Sequence, residues 1–225
     1  MTLQLHYFPT LNGQKVAIAL EEMGLPYAVR IVDVLAGGQD APAFRAINPN
    51  GRIPALVDPE AGVTVFESAA ILQYLGRKTG RFYPADEPVR TAIDSWLFWQ
   101  MSGLGPMSGQ VNWFARAAQK EGRDPAETGL ALHRFRKETA RLFGVLEAAL
   151  ANRDYLAGDY SIADMCVWPW IDKYPGNGGG LAGFPALATW HARIASRPAV
   201  SRALAVGLDA IALPPETPAT IHTRG

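Results

Sequence analysis

Two short segments in the first third of the chain carry residue types that could grip a small charged peptide. Asn50-Gly51-Arg52-Ile53-Pro54-Ala55-Leu56 sets a proline directly ahead of a short apolar strand. Phe66-Glu67-Ser68-Ala69-Ala70-Ile71 sets an acid and a serine at the mouth of a helix. A proline at that place can hold the peptide bond after Ile53 cis, turning the Ile53 N–H and C=O outward. An extended peptide can pair with such exposed backbone. The N–H and hydroxyl of Ser68 lie where a helix N-terminus attracts a carboxylate, and Glu67 beside them can hold an ammonium. A ligand with both charges on one carbon suits this corner, and γ-glutamyl peptides have that arrangement.

These residues need elements to position them. Residues 3–8, Leu-Gln-Leu-His-Tyr-Phe, alternate apolar and polar as a strand does. Pro9-Thr10-Leu11 breaks the pattern, and Asn12 can cap a helix over 13–23 that stops at Gly24. Residues 27–32 read as a second strand, 37–39 as a loop and 42–47 as one or two helical turns. Residues 55–57 and 63–66 flank Asp58-Pro59-Glu60-Ala61-Gly62 as a hairpin, and 67–78 has helical spacing up to Gly80. Residues 1–80 thus read as one compact α/β domain, with 81–88 as a linker.

Beyond the linker, 89–212 reads as an all-α helical bundle. Helices are expected over 89–118, with an interruption near Gly103-Leu104-Gly105-Pro106, and over 126–152. Ser161-Ile162-Ala163-Asp164 is a capping box opening a third helix, followed by a loop over 176–183 and helices over 187–196 and 199–208. In this reading Asp164 is a structural cap. Cys166, inside an apolar helix, is a small buried hydrophobe, and the tryptophans of 96–113 are mainly core. The tail, 213–225, has the composition of a poorly ordered segment.

The chain has 225 residues, 48% of them hydrophobic and 19% charged, which suits a folded protein with a sizeable core. Lys and Arg number 21, as do Asp and Glu, so no net field draws the chain to nucleic acid or an anionic membrane. No apolar run is long enough to span a bilayer, and residues 1–8 lack the pattern of a signal peptide. One cysteine excludes an intramolecular disulfide and any CxxC motif. No metal site is expected, and the simplest location is the cytoplasm.

With its motifs in view, the chain resembles the cytosolic glutathione transferases over nearly its whole length. The carriers are Gly51-Arg52-Ile53-Pro54-Ala55-Leu56, Glu67-Ser68 and Ser161-Ile162-Ala163-Asp164. Within that superfamily, three stretches resemble the nu class and the related yeast nitrogen-regulator prion group. They are Pro9-Thr10-Leu11-Asn12-Gly13-Gln14-Lys15, Gly37-Gly38-Gln39, and the run from Trp96 to Met107. The resemblance implies a thioredoxin-like domain followed by a helical one, a homodimer, and binding of one or two glutathione molecules or of oxidised glutathione.

It also implies roles. Thr10 and Asn12, by type ordinary turn and cap residues, would stand at the glutathione sulfur as catalytic groups. Most classes place a catalytic Tyr, Ser or Cys near the end of the first strand; here Tyr7 comes too early for that role. Gln39 would take the glycyl carboxylate, Ile53 and Pro54 the cysteinyl backbone, and Glu67 and Ser68 the γ-glutamyl head. Arg52 would touch the ligand's backbone or a carboxylate, and Arg134 would reach the ligand from the helical domain. The implied activity is glutathione-dependent disulfide-bond reduction with weak transferase activity. The alternatives are a conventional transferase acting on electrophiles and a regulatory module that binds glutathione without turnover. The second substrate, a small disulfide or electrophile, is not legible.

Overall fold

The computed structural model describes residues 2–120, 122, 124–173 and 180–209, which divide into two compact units. The first holds residues up to Pro84 together with the segment that begins at Ala195; the second runs from Ala85 to Ile194. The tail expected from 213, and 176–179 of the expected loop, lie outside the described residues.

In the first unit, strand β1 (Leu3–Tyr7) alternates as its sequence demands, burying Leu3, Leu5 and Tyr7. Helix α1 (Leu11–Met23) crosses to β2 (Tyr27–Ile31), which lies parallel to β1 with Leu5 opposite Val29. A 3₁₀ turn (Gly38–Asp40) and a one-turn helix α2 (Pro42–Arg45) lead to the hairpin of β3 (Ala55–Asp58) and β4 (Val63–Phe66). Strand β3 runs antiparallel to both neighbours, with Leu56 opposite Leu5 of β1 and Val65 of β4, and the sheet order is β2-β1-β3-β4. Helix α3 (Ser68–Thr79) packs on α1, contributing Ile71, Leu72 and Leu75 to the core beside Val16, Ile18 and Leu20.

Asn12 does not cap α1. Thr10 does: its backbone is extended (φ −92°, ψ 165°) and its hydroxyl accepts from Gly13 N at 3.4 Å, which places Asn12 inside the first turn. Gly24 ends the helix in the left-handed region at φ 67°, as its sequence position predicts. Two further helical turns join this unit from far along the chain. Helix α9 (Pro198–Ala205) packs on α1, where Arg197 forks onto Glu22 at 2.6 and 2.9 Å and Arg202 meets Glu21 at 2.7 Å. For α9 the numbering follows the second unit's helices α4 (Glu87–Trp99), α5 (Gly105–Lys120), α6 (Pro125–Leu150), α7 (Ile162–Asp172) and α8 (Pro185–Ala195).

The interruption foreseen near 103–106 is a π-helical turn over Gln100–Leu104 that links α4 to α5. Phe114 stacks on Phe135 to join α5 to α6. Asp164 is the polar centre of this unit. Its carboxylate caps α7 through Ser161 N (3.0 Å) and also accepts from Leu156 N (3.1 Å) and Trp190 Nε1 (2.9 Å). Burial pushes its pKa up against the pull of those donors, led by Trp190. Cys166 is fully buried, with Sγ 3.3 Å from Gln100 Oε1. Among the described residues, no helix is long and apolar enough to cross a membrane, and no group of three or more His, Cys, Asp or Glu could hold a metal ion.

One buried carboxylate ties the β3–β4 hairpin to α3. Asp58 accepts from Lys78 Nζ at 2.8 Å and from Tyr74 Oη at 2.5 Å, and it caps its own turn at Glu60 and Ala61. The Lys78 hydrogen bond, then that of Tyr74, brings its pKa from 3.8 down to about 2. A carboxylate depressed on folding stabilises the fold above its ordinary range and loses that contribution as pH falls through the folded value. Asp58→Asn is therefore expected to lower the melting temperature at pH 7 by about 3–6 °C. Calorimetry should show the gap to the wild type closing between pH 4 and pH 2; a constant gap would contradict the assignment.

Candidate functional site

A cleft of about 790 Å³ opens on the first unit, within the range of small-molecule sites. Its wall is made where three chain entries meet: the turn into α1, the segment ahead of β3, and the N-terminus of α3. Thr10 and Asn12 come from the first, Arg52, Ile53 and Pro54 from the second, and Glu67 and Ser68 from the third, with Gln39 at the 3₁₀ turn. All of the candidate residues of this unit are thus brought together. Arg134 is not among the lining residues; it is exposed on α6, its charge felt by Glu138.

The bond between Ile53 and Pro54 is cis, as expected. Because β3 is paired on both sides, by β1 and β4, a peptide bound in this cleft could meet this segment's backbone ahead of the strand, at Ile53, and not along β3 itself. Several side chains that the sequence did not single out hold this segment. Asn48, almost fully buried, donates from Nδ2 to Arg52 O at 2.5 Å and accepts from Asn50 N at 2.9 Å. Gly51 takes φ 63°, and a Cβ there would run into the Arg45 guanidinium. Arg45 in turn donates to Pro49 O at 2.9 Å and pairs with Asp40 at 2.7 Å. Asn48, Asn50, Gly51, Arg45, Asp40 and Val34 all line the cleft. The Asn-Pro-Asn-Gly run was the signal available for the turn, since each type favours one. Gln39 donates from Nε2 to Asp40 at 3.2 Å, so its amide is oriented by the same pair.

At the third wall, Glu67 precedes α3 with φ 71° and ψ 118°, a conformation that L-residues rarely adopt, and its side chain makes no cap to the helix. Strain of this kind is of order 1–3 kcal/mol and persists where the surroundings dictate it. Ser68, the first helical residue, is buried at the helix start, where backbone N–H groups have no partner within the helix. Chemically, such a corner can take an anion next to a carboxylate able to hold a cation. Tyr7 is excluded from the cleft. It is fully buried at the end of β1, its ring against Gly13 and Gly207, and burial holds its hydroxyl well above the ordinary tyrosine range. Cys166 is fully buried and is not among the residues that line this cleft.

Two family models match, the glutathione S-transferase N-terminal domain over residues 11–78 and the C-terminal domain over 130–198. The chain belongs to the glutathione S-transferase family. It is 44% identical over 208 residues to disulfide-bond oxidoreductase YfcG of Escherichia coli (strain K12), a match covering 90% of this chain and 94% of that protein. A glutathione transferase from Burkholderia graminis, solved with two glutathione molecules bound per subunit, superposes with TM-score 0.86 at 40% identity over 92% of this chain and 89% of that one. Glutathione transferase URE2P8 from Phanerochaete chrysosporium, solved with oxidised glutathione, gives TM-score 0.85 at 30% identity over 95% and 98%. These likenesses place the glutathione transferase-like enzyme on the branch that its motifs resemble, and they confirm the two-part fold expected for it.

The strained entry to α3 yields a prediction that needs no ligand. Glu67→Gly should raise the melting temperature by about 2–6 °C, because glycine adopts this backbone without penalty. Glu67→Ala, which removes the same carboxylate but keeps a Cβ, should bring no gain. Equal melting temperatures for the two variants would show that the backbone at 67 is unstrained.

Proposed function

We propose that this chain is a glutathione-dependent disulfide-bond oxidoreductase with weak transferase activity. The observation that carries the reading is a cleft lined together by Thr10 and Asn12, by Ile53 and Pro54, and by Glu67 and Ser68 at the start of α3, with no cysteine among its lining residues. The thiol must then arrive with the ligand. Glutathione, one or two molecules per site, supplies it. Its γ-glutamyl head sits at Glu67 and Ser68, its cysteinyl backbone at Ile53 and Pro54, and its glycyl end near Gln39 and Arg52. Arg134 is proposed as a further ligand contact on the family resemblance alone.

Thr10 and Asn12 then stand at the sulfur. The Thr10 hydroxyl accepts from Gly13 N, which leaves its hydrogen to donate. A donor to the thiolate lowers the thiol pKa, and one unit requires only ~1.4 kcal/mol. The thiolate attacks one sulfur of a small disulfide, a glutathione mixed disulfide forms, and the other sulfur leaves as a thiolate that takes a proton from solvent. A second glutathione thiolate attacks the glutathione sulfur of the mixed disulfide and expels the remaining thiolate. Two glutathiones are oxidised to one disulfide as the substrate is reduced to two thiols. Work as a homodimer in the cytoplasm suits this chemistry, because the cytosol maintains a reduced thiol pool.

The test is turnover with glutathione against hydroxyethyl disulfide and against an aromatic halide. The disulfide should be favoured at least ~10-fold, a difference of about 1.4 kcal/mol in barrier. The reverse preference would make the chain a conventional transferase, and binding without turnover would make it a regulatory module. Thr10→Ala combined with Asn12→Ala should lower disulfide turnover roughly 10- to 100-fold. The dissociation constant for glutathione should move only a few fold, since the charged ends are anchored elsewhere. Collapse of affinity with turnover at saturation unchanged would make these two residues anchors.

A further inference from the structure

A lysine in a helix of a small domain ordinarily extends into water, yet Lys15 on α1 has 0% exposure. Taking an ammonium out of solvent is costly unless neighbouring polar groups compensate it, so the groups around a buried lysine are tied to it. Its Nζ donates to Ser68 Oγ at 3.4 Å, across 53 residues of chain. An ammonium has donors only, so Ser68 is the acceptor in this bond and its own hydrogen is turned away from Lys15. Ser68 lines the cleft and opens α3. Lys15 itself does not line the cleft; it lies behind that corner. At 3.4 Å the hydrogen bond is long, and much of the influence is Coulombic, carried through a poorly solvated interior where charges act over a longer range than in water.

We propose that Lys15 is the positioning residue of the anion corner. It fixes the polarity of the Ser68 hydroxyl and sets a buried positive charge behind the α3 N-terminus, so that the site selects a peptide whose amino-acid head bears a free α-carboxylate. The helix start and Ser68 alone would attract an anion weakly; the hidden charge deepens that attraction, so that a peptide head lacking its negative charge loses most of the affinity. The inference rests on the glutathione reading and adds to it the residue that enforces head-group selection.

The experiment is calorimetric titration of two ligands, glutathione and 4-aminobutyryl-cysteinyl-glycine, the same peptide without its α-carboxylate. The wild type should prefer glutathione by about 10-fold or more. Lys15→Met, similar in length but neutral, should bind glutathione about 10-fold more weakly while the analogue changes less than about threefold, so that the preference is lost. Lys15→Arg should recover most of it. In a Ser68→Ala background, Lys15→Met should cost less than about threefold, because the two act together. A folded Lys15→Met that keeps the wild-type preference overturns the proposal. If that variant does not fold, Lys15→Gln is read by the same thresholds. A flat wild-type isotherm with glutathione overturns the glutathione reading, and this inference with it; a normal wild-type isotherm with unchanged selectivity in the variant overturns this inference alone.

Discussion

The start of α3 is where the demands on the first unit converge. A helix N-terminus presents unpaired N–H groups and partial positive charge. Here it is reached through Glu67 at φ 71°, with Ser68 buried and the Lys15 ammonium beneath it. Each of these features is unfavourable taken alone: a strained acid, a buried hydroxyl, a desolvated cation. In the proposed reading they make one corner for a carboxylate and an ammonium; the apolar packing of α1 with α3 and of the sheet core is what holds it in place. Active sites commonly carry strain and buried charge that the remainder of the fold offsets.

The other walls follow from the same sheet. Strand β1 lies between β2 and β3, so the chain leaving it enters α1 next to the segment that enters β3. That adjacency brings Thr10 and Asn12 to the same cleft as Ile53 and Pro54. The segment ahead of β3 is not left to the strand to orient. Asn48, Arg45 and Asp40 form a chain of hydrogen bonds around Gly51 that holds it from the opposite side. Pairing of β3 on both edges leaves Ile53, ahead of the strand, as the part of this segment whose backbone faces the cleft.

What the sequence made legible is local. The alternation of Leu3, Leu5 and Tyr7, the glycine stop at Gly24, the Arg-Ile-Pro segment and the Ser161–Asp164 capping box each rest on residues a few positions apart, and each appears as expected. Two near-equal caps two residues apart could not be ranked by type; the extended backbone of Thr10 decided between it and Asn12. Long-range pairings left no local trace. Arg197 and Glu22 are separated by 175 residues, and nothing near either one announces that α9 packs on α1. Lys15 was hidden for the same reason, because its partner Ser68 lies on another helix and the amphipathic pattern offers a lysine to solvent by default. The π turn at Gln100–Leu104 showed only as a glycine-rich interruption, with no residue type that specifies an i→i+5 turn.

The most direct test of the central claim is a crystal structure of the wild-type protein with glutathione bound. The account predicts the α-carboxylate at Ser68 and the α3 N-terminus, the ammonium at Glu67, the cysteinyl backbone paired with Ile53, and the sulfur within hydrogen-bond reach of Thr10 or Asn12. A glutathione whose α-carboxylate lies away from Ser68, or whose sulfur points away from the turn into α1, would contradict it.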